Sequence, residues 1–200
     1  WTGNGSREAK PHPSDWYETV KINYGIRPDG SKDFPILPES YRNLDHTEHC
    51  KFWENRDLPS SWKKWFQIAD FWLSLGVDGF RYDMAELVPV EFWSYLNSNI
   101  KNKKPDSLLI AEVYQPDQFD NYIQLGKMDL LYDKVDMYDT LKGIIQNQKS
   151  CNDIFPVTER YYNYSDRLLH FLENHDEQRI ASPEFAGDPF LALPAMVLSA

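Results

Sequence analysis

Val77-Asp78-Gly79-Phe80-Arg81-Tyr82-Asp83 is a short apolar run that ends in a carboxylate. Two later stretches share the pattern: Leu108-Leu109-Ile110-Ala111-Glu112, and Leu168-Leu169-His170-Phe171-Leu172-Glu173-Asn174-His175-Asp176. Short apolar runs of this kind read as strands buried on both faces, as in a parallel sheet. A buried strand has no use for a charge. Several acids at strand ends therefore point to a shared site that needs carboxylates close together, which predicts an enzyme.

Outward from these runs, helix and strand signals alternate from Ser60 onward, the signature of βα units. Ser60 or Ser61 is positioned to cap a helix carrying Trp62, Trp65, Phe66, Ala69, Trp72 and Leu73 at helical spacing and closing near Gly76. A second helix opens near Pro89 with Phe92, Trp93, Leu96 and Ile100 on one face, and Pro105 stops it. A short helix near Pro116 to Leu125 leads to a weaker strand, Met128 to Tyr132. Helical spacing then recurs at Met137, Leu141, Ile144 and Ile145, in Ile154 to Tyr162, and after Pro189. Residues 1–59, rich in Gly, Pro, Asn, Asp and charge, read as an irregular excursion lying over the βα part, 60–200. Four βα units fit half of a barrel or one stretch of an open doubly wound sheet. No G-x-G-x-x-G supports a dinucleotide fold, and the acids sit at C-terminal strand ends, where barrel enzymes place their chemistry.

The chain has 200 residues, 42% of them hydrophobic, enough for one substantial core. A formal net charge of −10 argues against nucleic acid or an anionic membrane as partner. The 15% aromatic content offers flat surfaces on which sugar faces can pack. Cys50 and Cys151 imply no disulfide framework, which leaves the compartment open. The chain starts Trp1-Thr2-Gly3 and stops in an apolar stretch, and the expectation is a piece of a longer protein.

Gly79-Phe80-Arg81-Tyr82-Asp83, Ala111-Glu112-Val113 and Phe171-Leu172-Glu173-Asn174-His175-Asp176 resemble three successive regions of the α-amylase superfamily, glycoside hydrolase family thirteen. They stand in the family's order, with 29 residues from Asp83 to Glu112 and 64 from Glu112 to Asp176. Tyr132-Asp133-Lys134 through Tyr138-Asp139-Thr140-Leu141 resembles the stretch between the second and third regions. Asp15-Trp16 with Thr19 to Tyr24 resembles the late part of the family's domain B. The resemblance implies the second half of a TIM (β/α)8 barrel, strands four to seven, with part of an irregular domain B insertion.

It also implies a retaining hydrolase of α-glucosidic linkages in starch-like oligo- or polysaccharides. Retention needs one carboxylate as nucleophile and one carboxyl group as acid, then base. The matching positions are Asp83 and Glu112. Arg81, two residues before Asp83 on the same strand face, would hold the nucleophile ionised. Asp176 matches the third acid, which grips sugar hydroxyls, with His175 as a hydroxyl donor beside it. Arg179 resembles an arginine often found three residues beyond the third acid and is a substrate-binding candidate, with a surface or structural role as the alternative. Alternatives are an α-glucan transglycosylase or branching enzyme, which shares all three acids, and an inactive binding or transport subunit, which the intact trio opposes.

Where many members carry Lys-His after the nucleophile, this chain has Glu86 and Leu87, so calcium is left unassigned. His46-Thr47-Glu48-His49-Cys50 matches no common zinc spacing and reads as a solvated loop. Half a barrel leaves unpaired strand edges, so self-association of the isolated piece is expected.

Overall fold

The computed structural model describes Lys10, His12 and residues 22–200. The Asp15 to Lys21 part of the domain B resemblance lies outside the described residues. The chain divides into two units, residues 1–112 with 118–129, and residues 113–117 with 130–200.

In the first unit α1 (His46–Trp53), α2 (Ser60–Ser74), β1 (Gly79–Tyr82), α3 (Val90–Lys103) and β2 (Leu108–Ala111) follow one another. β1 and β2 pair parallel, Gly79 with Leu108 through Tyr82 with Ala111. The ladder extends one bond beyond each end, from Leu108 N–H to Asp78 O at 2.9 Å and from Glu112 N–H to Tyr82 O at 3.0 Å. Gly79 makes the approach possible, since a Cβ there would stand 1.9 Å from the Leu108 carbonyl oxygen. α3 is the crossover, and its predicted apolar face is buried: Phe92, Trp93, Leu96 and Ile100. Asp129 closes the far side of β2, accepting Leu109 N–H on its carboxylate and donating its own N–H to Leu109 O, both at 2.8 Å.

α1 packs on α3, where the buried Ser94 meets His49 and Trp53. Of the other buried polar residues of α3, Asn97 donates to the Gly126 carbonyl and accepts from the Tyr82 hydroxyl, and Ser98 Oγ donates to Tyr95 O. The solvated-loop reading of His46 to Cys50 is therefore wrong. Asp45 caps the helix by accepting Glu48 N–H, and His49, Cys50, Phe52 and Trp53 turn inward. Their polar atoms are satisfied locally. His49 Nε2–H donates to Tyr41 O at 2.8 Å, which leaves Nδ1 as acceptor for the Ser94 hydroxyl, also at 2.8 Å. Trp53 Nε1–H donates to the same Ser94 oxygen at 2.8 Å.

α2 differs from expectation at both its start and its face. Pro59, not a serine, stands at its N-cap, and Ser61 Oγ instead donates to Asn23 O at 2.5 Å. Only Trp62 and Ala69 of the apolar stripe are buried; Trp72 is exposed, together with Ile68, Phe71 and Leu75. Trp62 is the anchor, fully buried among the rings of Phe34, Trp53, Phe92 and Tyr95. Lys32 reaches the buried Glu91 of α3 at 2.8 Å, a second tie for the early segment.

In the second unit β3 (Leu130–Tyr132) pairs parallel with β4 (Leu168–Leu169), Leu131 with Leu168 and Tyr132 with Leu169. Both strands are shorter than the apolar runs suggested. The connection holds a π-helical turn at Lys134–Tyr138, then α4 (Asp139–Ile145), α5 (Ile154–Arg160) and a 3-10 stretch at Tyr162–Arg167; α6 (Leu193–Ser199) closes the chain. Asp133, buried at the end of β3, caps the turn by accepting Met137 N–H at 3.0 Å.

Burial drives the His49 imidazole down from 6.5 to about 4, outweighing the Tyr41 carbonyl that favours its charged form. The unfolded imidazole, near 6.5, takes up its proton first as pH falls. The stability due to the neutral ring is thus complete above about pH 6.5 and is lost progressively toward pH 4. Thermal unfolding followed across that range should show a steeper acid-side loss of Tm than in His49→Gln; equal slopes would refute it.

Candidate active site

Strand alternation sorts the side chains of β1. Phe80 and Tyr82 take one face, where Tyr82 lies 4.5 Å from Trp93 ring to ring and its hydroxyl donates to Asn97 Oδ1 at 2.8 Å. Arg81 and Asp83 take the other. Arg81 Nη1 meets Asp83 Oδ1 at 2.5 Å, and its Nη2 stands 3.4 Å from Glu112 Oε2. One guanidinium thus serves two carboxylates, of which Asp83 is 58% exposed and Glu112 only 1%.

The turn after Asp83 fixes Glu112 by both main chain and side chain. Met84 adopts a left-handed conformation, φ 45° and ψ 41°, which aims its N–H at Glu112 Oε2, 3.0 Å away. The next residue, Ala85, donates its N–H to the Glu112 carbonyl at 3.0 Å, and Trp93 Nε1–H holds the Ala85 carbonyl at 2.9 Å. Oε2 thus accepts the Met84 N–H, with the Arg81 guanidinium beside it as a charge partner. A left-handed non-glycine residue costs energy and is held only where its surroundings demand it. Met84 is one residue of this cluster that sequence reasoning misses, because no residue-type signal marks it. A cavity of about 570 Å³ opens beside the turn, walled by aromatic and aliphatic groups such as Trp65, Trp72 and Phe80; among the described residues, Arg81 and Asp83 are its only charged side chains.

In the second unit His175, Asp176 and Arg179 lie on the loop after β4. Asn174 Oδ1 accepts the N–H groups of both Asp176 and Glu177 at 2.9 Å, so an Asx turn sets the start of the loop. His175 Nε2 lies 3.2 Å from Asp176 Oδ2, with both side chains more than half exposed. Arg179, 82% exposed, pairs with Glu173 at 2.9 Å. The structure thus brings Arg81, Asp83 and Glu112 into one cluster, and His175 and Asp176 into another. Glu177, the next residue, carries no signal of its own in the sequence although it adjoins the motif. It is well engaged, 2.6 Å from the Tyr138 hydroxyl and 3.1 Å from Lys134 Nζ.

Among the described residues no group of three or more His, Cys, Asp or Glu is placed to hold a metal, so no side chain here is assigned to calcium. No helix among them is long and apolar enough to cross a membrane.

The family described as "Alpha amylase, catalytic domain" matches residues 39–189. This chain belongs to the α-amylase family. Alpha-amylase 3 of Dictyoglomus thermophilum is 26% identical over 195 residues, spanning 80% of this chain and 37% of that protein. An Anoxybacillus α-amylase structure is 26% identical with a TM-score of 0.54, covering 70% of this chain and 31% of that one. The ligand-free cyclic α-maltosyl-(1→6)-maltose hydrolase of Arthrobacter globiformis shares the fold, with a TM-score of 0.61 at 19% identity over 72% of this chain and 34% of that one. The chain spans about a third of the length of these α-amylase family relatives. Its α/β architecture with parallel strands is part of a (β/α)8 barrel, which removes the doubly wound alternative.

The left-handed turn yields a stability test. Met84→Ile, with a branched Cβ, should be destabilised by about 1 kcal/mol or more relative to Met84→Gly. Urea unfolding of the two variants measures the difference, and equal midpoints would contradict the strain.

Proposed function

We propose that this chain carries the nucleophile and acid/base of a retaining α-amylase-family glycosidase acting on α-glucosidic linkages of starch-like glucans. The observation that carries the reading is the Arg81 bridge between Asp83 and Glu112, two carboxyl groups at the C-terminal ends of adjacent parallel strands. In this reading Asp83 attacks the anomeric carbon while Glu112 gives its proton to the departing glycosidic oxygen. A glycosyl ester on Asp83 results. Glu112, now ionised, takes a proton from water, whose oxygen displaces Asp83 and regenerates both groups. Exposure suits the nucleophile, which must reach substrate. Asp176, with His175 and Arg179 on the same loop, is read as gripping sugar hydroxyls so that the contact strengthens as positive charge develops on the ring. Residues 1–59 are read as the end of a domain B-like excursion, and 60–200 as strands four to seven with their helices.

Transfer to a second sugar is the other reading. It has support from the α-1,4-glucan:maltose-1-phosphate maltosyltransferase of Corynebacterium glutamicum, 32% identical over 107 residues, 53% of this chain and 15% of that protein. Product analysis on maltooligosaccharides separates the two, because transfer lengthens some chains while hydrolysis only shortens them.

In the whole protein, Asp83→Asn and Glu112→Gln should each lower the rate by about 10³-fold or more while substrate binding persists. Rates within tenfold of wild type in either variant would remove that residue from the chemistry.

A further inference from the structure

We propose that Glu177 is a positioning residue that holds Asp176 in place by clamping its loop to the turn after β3. The proposal rests on the reading of Asp176 as the substrate-gripping acid.

Asp176 and Glu177 are neighbours with opposite environments. The Asp176 side chain is 54% exposed, whereas that of Glu177 is 17% exposed and turned into the protein. Glu177 Oε2 accepts from the Tyr138 hydroxyl at 2.6 Å, and Oε1 lies 3.1 Å from Lys134 Nζ. Lys142 Nζ stands further off, 3.9 Å from Oε2. Lys134 is itself fixed, 2.8 Å from Asp139 and 4.6 Å from the centre of the Tyr138 ring. Tyr138 is fully buried, stacked on Phe171 with ring centres 5.3 Å apart and edge-on to Phe185. Glu177 therefore grips a phenol that cannot move without disturbing the core.

The charges balance locally, with Lys134 and Lys142 facing Asp139 and Glu177. Burial alone would push the Glu177 carboxyl group up, but the Tyr138 hydroxyl and Lys134 outweigh it and hold the group below the ordinary carboxylate value. The clamp is thus charged at neutral pH. With Asn174 Oδ1 fixing the backbone N–H groups of Asp176 and Glu177, the acid stands on a loop held from both directions. A displacement of about 1 Å in a group that acts in the transition state costs on the order of 10²-fold in rate.

The test is a double-mutant cycle in the whole protein on a maltooligosaccharide. Glu177→Ala should lower kcat by about 10²-fold with KM changed by less than about threefold, and Glu177→Gln, which keeps an acceptor for Tyr138, should recover part of that loss. In an Asp176→Asn background Glu177→Ala should cost nothing further, since it acts through Asp176. If Glu177→Ala fails to fold, Tyr138→Phe keeps the ring stack and removes only the hydroxyl; it should lose several-fold in kcat, and that loss too should vanish beside Asp176→Asn. A full additional loss in the Asp176→Asn background, or an unchanged kcat in Glu177→Ala, overturns the proposal. Near-normal rates in Asp176→Asn alone would instead show that the reading of Asp176 fails, and the proposal with it.

Discussion

The close backbone approach of β1 to β2 at Gly79 sets the geometry of the first unit. Because Gly79 lacks a Cβ, it can face the Leu108 carbonyl, and the register then runs without slip to Tyr82 and Ala111. A register is all-or-none in its effect, since a slip of one residue sends every side chain to the other face. Arg81 and Asp83 would exchange places with Phe80 and Tyr82, and the guanidinium would leave both carboxylates. Four residues of ladder thus determine whether the two acids meet.

Around that ladder the packing is aromatic, and it is keyed to helices rather than to the sheet alone. Trp62 ties α2 to Phe34, Trp53 and Phe92, while Trp93 spans from α3 to the backbone of the turn after Asp83. Large flat rings with one polar handle suit this task, since the ring supplies burial and the N–H fixes a distant carbonyl. The turn at Met84 can hold a left-handed residue because Glu112 and Trp93 together grip it.

Much of this is legible in the sequence, for identifiable reasons. The parallel strands announce themselves as short apolar runs ended by acids, although burial on both faces is not met: every residue of β1 is only partly buried and Leu108 of β2 is exposed. The face of α3 carrying Phe92, Trp93, Leu96 and Ile100 is equally plain. The buried polar residues of α3 are not, because Ser94, Asn97 and Ser98 are accommodated by hydrogen bonds, to α1, to Tyr82 with the Gly126 carbonyl, and to Tyr95 respectively, rather than by apolar character, which is all that periodicity counts. The same blindness makes His49 and Cys50 look like part of a surface loop. α2 fails differently: of its plainly apolar stripe only Trp62 and Ala69 are buried and Trp72 remains exposed, since periodicity identifies a face without saying what covers it. Glu177 escapes notice because adjacency to a motif does not say which way a side chain turns.

The single guanidinium between two acids has an electrical consequence for the proposed cycle. With Glu112 protonated and Asp83 ionised, the trio of Arg81, Asp83 and Glu112 sums to zero charge. After the glycosyl ester forms, Asp83 is neutral and Glu112 carries the negative charge instead, so the sum is again zero. The negative charge migrates from one side of Arg81 to the other without leaving its reach. A fixed cation that faces both positions need not reorganise between them, and a site partly closed to water gains most from such constancy.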